Sequence, residues 1–313
     1  MISLKLTRAA MACDFEIVLF GDDRGYLVDA GNQALDEVQR LDEQLSRFNP
    51  SSEVSFVNAE AWARPVPVEP GLFRLLQLAQ EVWRDTAGAF DVTVAPLADL
   101  WREAEHTGQN PSKKAIGEAA AKIGMNNVIL DESRNAVGFA AGGISLDLGA
   151  VGKGFAAGRA AAVLRESGIE SALVSAGRST VCAVGAPPGE DAWAVGIRHP
   201  WRFDQRVTMI RLRDRAMSTS GGIEQRDEAV AEKFDHIIDP VTGRGARSTT
   251  VSATVVADDP AVCDALSTAF YARGEALART YCTAHPSVTA IFVVIDQSTG
   301  EPIARRIPED HHD

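Results

Sequence analysis

Asp264 and Thr268 lie four residues apart in "DDPAVCDALSTAFYARG", a spacing that puts a carboxylate and a hydroxyl on one face of a helix. Two hard oxygen donors so placed suit Mg²⁺, which takes few protein ligands and leaves coordination positions for phosphate oxygens. The spacing accords equally with an ordinary Asp near a helix N-terminus, where the macrodipole favours negative charge. In "ISLDLGAVGKGFAAG", residues 144–158, an apolar run reaches Asp147 and then breaks into glycines around Lys153. A lysine in such a loop can meet an anion, but the stretch lacks the four-residue gap and the Ser or Thr after the lysine that mark a nucleotide P-loop. Gly152, Gly154 and Gly158 form a GxGxxxG spacing that partly matches a dinucleotide fingerprint and accords as well with close helix–sheet packing. "KFDHIIDPVTGRGA" sets His236 ahead of an apolar pair, Asp239-Pro240 and a turn at Thr242-Gly243. An imidazole at such a strand end can accept a proton near neutral pH. Ser218-Thr219-Ser220-Gly221, taken alone, reads as a turn.

The elements that must position these groups follow from periodicity. "DFEIVLFG" alternates as a strand, and Asp22-Asp23 then opens a helix over about 26–48, carried by Leu35, Val38, Leu41, Leu45 and Phe48 and stopped at Asn49-Pro50. A second amphipathic helix lies between Gly71 and Gly88, and a short Ala/Lys helix follows Pro111-Ser112. "NVIL" and "ISLDL" read as strands, and Gly152 to Ser167 as a helix closed by Gly168, followed by the strand "SALVS". Short strands from Val181 to Met217, the strand "TTVSATVVA", a helix from Asp259-Pro260 and the strand "VTAIFVVID" complete the core. Strict strand–helix alternation is missing, which predicts an α+β fold rather than a doubly wound sheet.

Composition narrows the function classes. The 313 residues allow a single domain over 1–313, built as one body or two intimate lobes, with residues 307–313 as a solvated tail. The net charge of −12 argues against nucleic acid and anionic membranes, so an anionic ligand needs a local cation or a metal. Four scattered cysteines without a CxxC pair indicate neither a zinc site nor a disulfide scaffold, and a cytoplasmic location fits them. The N-terminal residues lack a signal-peptide core, and no apolar run reaches the roughly 18 residues of a membrane span.

Taken in order, "MACDFEIVL", "LSRF", "GAFDVTVAPL", "ISLDLGAVGKGFAAG", "STSGG", "HIIDPVTG" and "DALSTAF" resemble the landmarks of the ApbE family of FAD:protein FMN transferases, from Met11 to beyond Ala272. The resemblance implies T-fold-like mixed sheets with antiparallel hairpins and packed helices, and FAD in a cleft between two lobes. It implies Mg²⁺-dependent transfer of the FMN half of FAD to a Thr or Ser hydroxyl of a partner flavoprotein, with release of AMP. The family's metal site falls on the main-chain carbonyl of Ala150 and the side chains of Asp264 and Thr268. Its FAD contacts fall on Met11, Phe48, Ala89, Phe90, Asp91, Asp147, Lys153 and Ile238. His236 is the expected proton acceptor, with Asp239 second. Alternatives are an FAD pyrophosphatase, a non-catalytic FAD-binding module, and an NADP-dependent oxidoreductase using the GxGxxxG stretch and Arg178. The chain departs from the family at Ala12-Cys13, where Gly-Thr is usual. It departs again at Arg178-Ser179, where Gly-Asp follows the retained Gly177 and where a loss of backbone freedom is expected. A third departure is Gly158, where an acid is often found.

Overall fold

A computed structural model of the chain describes residues 1–221, 237–246 and 250–309. The chain begins with β1 (Ile2–Ala10), β2 (Cys13–Gly21), α1 (Arg24–Leu45), α2 (Glu53–Glu60), β3 (Val66–Pro67), α3 (Pro70–Asp85), α4 (Ala95–Thr107) and α5 (Lys113–Ala120). β4 (Val128–Asp131), β5 (Ala136–Phe139), α6 (Gly152–Glu166), β6 (Ala172–Ala176), β7 (Thr180–Val184), β8 (Trp193–Arg198), β9 (Arg206–Leu212) and β10 (Ala216–Gly221) follow. The last are β11 (Ile238–Asp239), β12 (Arg244–Gly245), β13 (Ser252–Ala257), α7 (Pro260–Arg273), α8 (Glu275–Ala284), β14 (Thr289–Ile295) and β15 (Pro302–Ile307). They fall into two compact units, the first from Met1–Asp42, Val151–Glu224 and Thr249–Asp313, the second from Glu43–Ala150 and Gln225–Ser248.

The first unit is built on an eight-stranded sheet of order β1-β2-β6-β7-β10-β13-β14-β15 with every pairing antiparallel. This is the α+β architecture expected from the sequence. It also removes the setting of a dinucleotide fingerprint, which needs a parallel βαβ unit. β13 is buried throughout and β14 at all but its last residue because both faces are covered, and most of their side chains are apolar. On one side the β8–β9 ribbon packs Trp193, Ile197 and Leu212 onto Met217, Val256, Ile291 and Val293. α7 is buried nearly all round, through Cys263, Ala265, Leu266, Ala269 and Phe270. Its start is set as expected, by Asp259 accepting from the Ala261 N–H (2.8 Å) ahead of Pro260. α1 starts the same way, the Asp23 carboxylate accepting from the N–H groups of Gly25 and Tyr26.

Gly154 and Gly158 act in helix packing. A Cβ on Gly154 would lie 2.2 Å from the Pro260 carbonyl oxygen and 2.8 Å from Asp264 Cβ, and one on Gly158 would lie 2.9 Å from Pro260 Cγ. These two glycines therefore bring α6 against the first turns of α7, which accounts for Gly154 and Gly158 without a nucleotide, whereas a Cβ on Gly152 would meet nothing within 4 Å.

In the second unit, β3, β5 and β4 form a three-stranded sheet and β11 and β12 a hairpin. "ISLDL" is no strand of a sheet, contrary to the pattern of its side chains. The Asn58 side chain accepts from Leu146 N–H (2.7 Å) and donates to Leu146 C=O (3.1 Å), and Asp147 N–H donates to the Val92 carbonyl (2.6 Å). A side-chain amide thus stands in for the ladder partner. The strand in this region is β5, and β1, α2, α4 and β15 are further elements that the sequence pattern did not single out. Ile307, where the solvated tail was expected to begin, is buried and paired with Ala290 at the end of β15, and residues 310–313 lie outside the described residues.

The β1–β2 hairpin turns on Met11 and Ala12, both with positive φ (50° and 58°), the arrangement that normally recruits Gly or Asn. An L-residue held there costs about 1–2 kcal/mol. Ala12→Gly should therefore raise the denaturant midpoint, with a gain of about 1 kcal/mol at unchanged m-value.

Candidate functional site

Asp264 sits on α7 with its side chain buried at 4% exposure, so its carboxylate must find partners inside the protein. Oδ2 accepts from the N–H of Gly154 (2.9 Å), at the start of α6, whose own N-cap residue Val151 makes no side-chain cap. Asp264 thereby caps a helix other than its own, and the positive end of that helix favours its charge. Oδ1 accepts from the hydroxyls of Ser218 (3.0 Å) and Thr180 (3.4 Å), which are 2.9 Å from each other and fully buried. One turn on, the Thr268 hydroxyl donates to the Asp264 carbonyl (3.3 Å) and lies 3.2 Å from the Ser220 hydroxyl.

These donors fit a hard divalent cation. An ionised carboxylate accepts about four hydrogen bonds, and Asp264 receives three, leaving one lone-pair direction; the Thr268 oxygen likewise keeps lone pairs. Among the described residues no group of three or more His, Cys, Asp or Glu could hold a metal. The set is thus of the sparse kind that leaves coordination positions for a ligand's own oxygens. Ala150, whose carbonyl is the third expected donor, is half-buried in the turn leading into α6.

Lys153 is the second residue of α6 and half-buried, next to Gly154. Its charge reaches Cys13, whose thiol burial pushes above its ordinary range and Lys153 draws back. Met11 is half-buried in the strained turn just before Cys13. The turn from β6 to β7 lies against this hairpin: Gly177 has φ +58°, and a Cβ there would be 3.1 Å from Cys13 Cβ. Arg178, which follows, is exposed and is not among the positive-φ residues, so no left-handed backbone is asked of it.

In the second unit, Asp147 is bridged at 2.8 Å by Arg47 Nε, and Arg47 Nη1 also donates to Asp99 (3.1 Å). Arg47 is 9% exposed, and its guanidinium stacks on Phe48 at 4.7 Å, with Arg102 on the same ring at 5.2 Å. Phe48 itself is 69% exposed, which leaves a flat aromatic surface backed by cations. Arg47 stands in the quoted "LSRF" but was not itself singled out. Ala89, Phe90 and Asp91 are buried. Burial holds the Asp91 carboxyl above its ordinary range, and it accepts from the Thr93 N–H (2.8 Å) and hydroxyl. Ile238 is half-buried on β11. Asp239 is buried and shapes the following turn, accepting from Val241 N–H (3.0 Å) and the Thr242 hydroxyl (3.1 Å). That turn is tied down by Trp101 Nε1 donating to Gly243 C=O (2.8 Å). His236 lies outside the described residues.

Comparison with known proteins gives one consistent answer. The sequence pattern of the ApbE family matches residues 11–292. A protein of Treponema pallidum (strain Nichols) named FAD:protein FMN transferase is 31% identical over 84% of this chain and 78% of its own length. A Klebsiella pneumoniae (strain 342) protein of the same name is 28% identical over 82% and 79%. The crystal structure of the ApbE protein of Thermotoga maritima superposes with a TM-score of 0.83 at 27% identity, covering 97% of both chains.

The Arg47 cluster has a measurable signature. Arg47→Met leaves Asp147 without its guanidinium and Asp99 with Arg102 alone (2.8 Å), and should destabilise the protein at pH 7 by about 1–3 kcal/mol. The Arg47 bond lowers the Asp99 pKa, so its stabilisation is present above the ordinary carboxylate range and is lost as pH falls through the depressed value. The difference in denaturant midpoint between variant and wild type should accordingly narrow below about pH 4.

Proposed function

The chain belongs to the ApbE family, and on that footing we propose that it is a Mg²⁺-dependent FAD:protein FMN transferase acting on a Thr or Ser hydroxyl of a partner flavoprotein, with release of AMP. The observation that carries this reading is the buried Asp264 carboxylate with Thr268 one turn along, beside the Lys153 end of α6. The acceptor oxygen bonds to the phosphorus of the FMN half, the bond from that phosphorus to the bridging diphosphate oxygen breaks, and AMP departs with that oxygen. The hydroxyl proton passes to a base.

Each residue then has a task. Asp264, Thr268 and the Ala150 carbonyl hold the cation. When bound, Mg²⁺ supplies positive charge against the charge that develops on the phosphate oxygens. Lys153 meets the diphosphate as a fixed cation. Phe48 offers its exposed ring for stacking, and Met11, Ala89, Phe90, Asp91, Asp147 and Ile238 line the FAD. His236 takes the acceptor proton; Asp239 is the weaker candidate because both its oxygens hold a turn. A cytoplasmic location belongs to the same reading, and among the described residues no helix is long and apolar enough to cross a membrane.

Three substitutions test the assignment. Asp264→Asn can keep every hydrogen bond, its oxygen on Gly154 N–H and its amide donating to the Ser218 and Thr180 hydroxyls, while losing the charge. It should fold normally and lose at least about 100-fold in transfer, read as the FMN mass gained by an acceptor flavoprotein. Near-native Mg²⁺-dependent transfer by this variant would exclude the metal site. Lys153→Met should weaken FAD binding by about 1–3 kcal/mol in a fluorescence titration. His236→Asn should keep FAD affinity and slow transfer by about 10²–10⁴. Equal rates of AMP and free FMN release with and without acceptor would make the protein an FAD pyrophosphatase.

A further inference from the structure

β10 carries hydroxyls where a buried central strand ordinarily carries apolar side chains. Ser218 and Ser220, two residues apart, share one face of the strand, while Thr219 points the other way and pairs with the Thr254 hydroxyl at 2.8 Å. The two serines meet α7 in register. Ser218 contacts Asp264 (3.0 Å) and Ser220 contacts Thr268 (3.2 Å), so strand and helix run the same way. Two residues of strand advance about 6.6 Å and four residues of helix about 6 Å, so the two spacings match. The strand thus presents one hydroxyl to each side chain assigned to the cation.

We infer that Ser218 and Ser220, with Thr180 as a second donor on Asp264, are positioning residues that fix the cation-holding geometry of α7. This inference rests on the metal assignment proposed above and adds the residues that make it rigid. The bond from Ser218 and the flanking bonds from Thr180 and Gly154 leave the Asp264 carboxylate no rotamer freedom to lose when a cation arrives. Ser220, itself 2.9 Å from Ser267, holds the Thr268 hydroxyl between the strand and the Asp264 carbonyl, which orients its lone pairs. Neither serine touches the nucleotide in this account. Their contribution therefore appears in metal affinity, separate from affinity for FAD without metal.

The test titrates Mg²⁺ into the purified full-length protein with FAD present, following bound flavin fluorescence, and repeats FAD binding in EDTA. Ser218→Ala and Ser220→Ala should raise the Mg²⁺ midpoint about 10–100-fold and leave FAD affinity in EDTA at the wild-type value. Ser220→Thr, which keeps a hydroxyl, should return the midpoint to near wild type. Denaturant melts without metal report whether each variant is folded, and Thr180→Val, which removes the other hydroxyl on Asp264 at nearly constant shape, serves in its place with the same expected rise should Ser218→Ala be unstable. Wild-type Mg²⁺ midpoints in both folded alanine variants would overturn the inference while leaving the metal site intact. An unchanged Mg²⁺ midpoint in Asp264→Asn would instead overturn the metal assignment itself.

Discussion

A charge buried on α7 sets the terms for the first unit. Placing a carboxylate inside a protein costs several kcal/mol, which only well-placed donors offset. Asp264 receives three, and hydrogen bonds to a charged group contribute about 1.5–3 kcal/mol each, a sum of the same size as the cost. Each donor comes from a different element: Gly154 from α6, Thr180 from β7 and Ser218 from β10. Because one bond must reach the Gly154 main chain, the two helices have to approach closely, and glycine is what lets them; a side chain at 154 would enter the Pro260 carbonyl. The glycine stripe, the hydroxyl-bearing strand and the buried helix answer a single electrostatic requirement.

The second unit meets a similar requirement differently. Arg47 holds Asp147 and Asp99 at once and packs its plane on Phe48, so a charge cluster and an exposed ring are fixed by one side chain. Arginine suits this because its planar fork donates in several directions while its face remains free to stack. Asp91 is buried and held by its own Thr93, so its carboxylate is committed within its own segment.

How far the sequence reveals this depends on the range of the interaction. Helix starts at Asp23 and Asp259 were legible because a cap is a local event, and the Asp264–Thr268 face was legible because a helix repeats every few residues. Ser218 and Ser220 were read as a turn, since their partners lie more than 40 residues away and only the paired spacings of strand and helix join them. "ISLDL" was read as a strand because its side chains alternate correctly, whereas its hydrogen bonds go to the Asn58 amide, which no periodicity records. The Lys153 glycines carried two readings, and close helix packing against Pro260 settled which applies to Gly154 and Gly158.

The departures from the family's landmarks also gain meaning from proximity. Ala12-Cys13 and Arg178-Ser179 are far apart in sequence, yet Gly177 rests against Cys13, so the two departures belong to one patch. Within it the retained residue is the one under constraint: Gly177 combines φ +58° with a tight approach to Cys13, which a Cβ would meet at 3.1 Å. Arg178 sits one residue further, exposed and without positive φ. Where the resemblance implies Gly-Asp, Arg-Ser asks for no left-handed backbone and puts a cation at an exposed position of the turn. That turn leads directly into Thr180, one of the donors on Asp264, and the Ser179 carbonyl accepts from Thr219 N–H at 2.9 Å. Arg178 therefore stands between two fixed points, Gly177 against Cys13 on one side and Thr180 on the Asp264 carboxylate on the other.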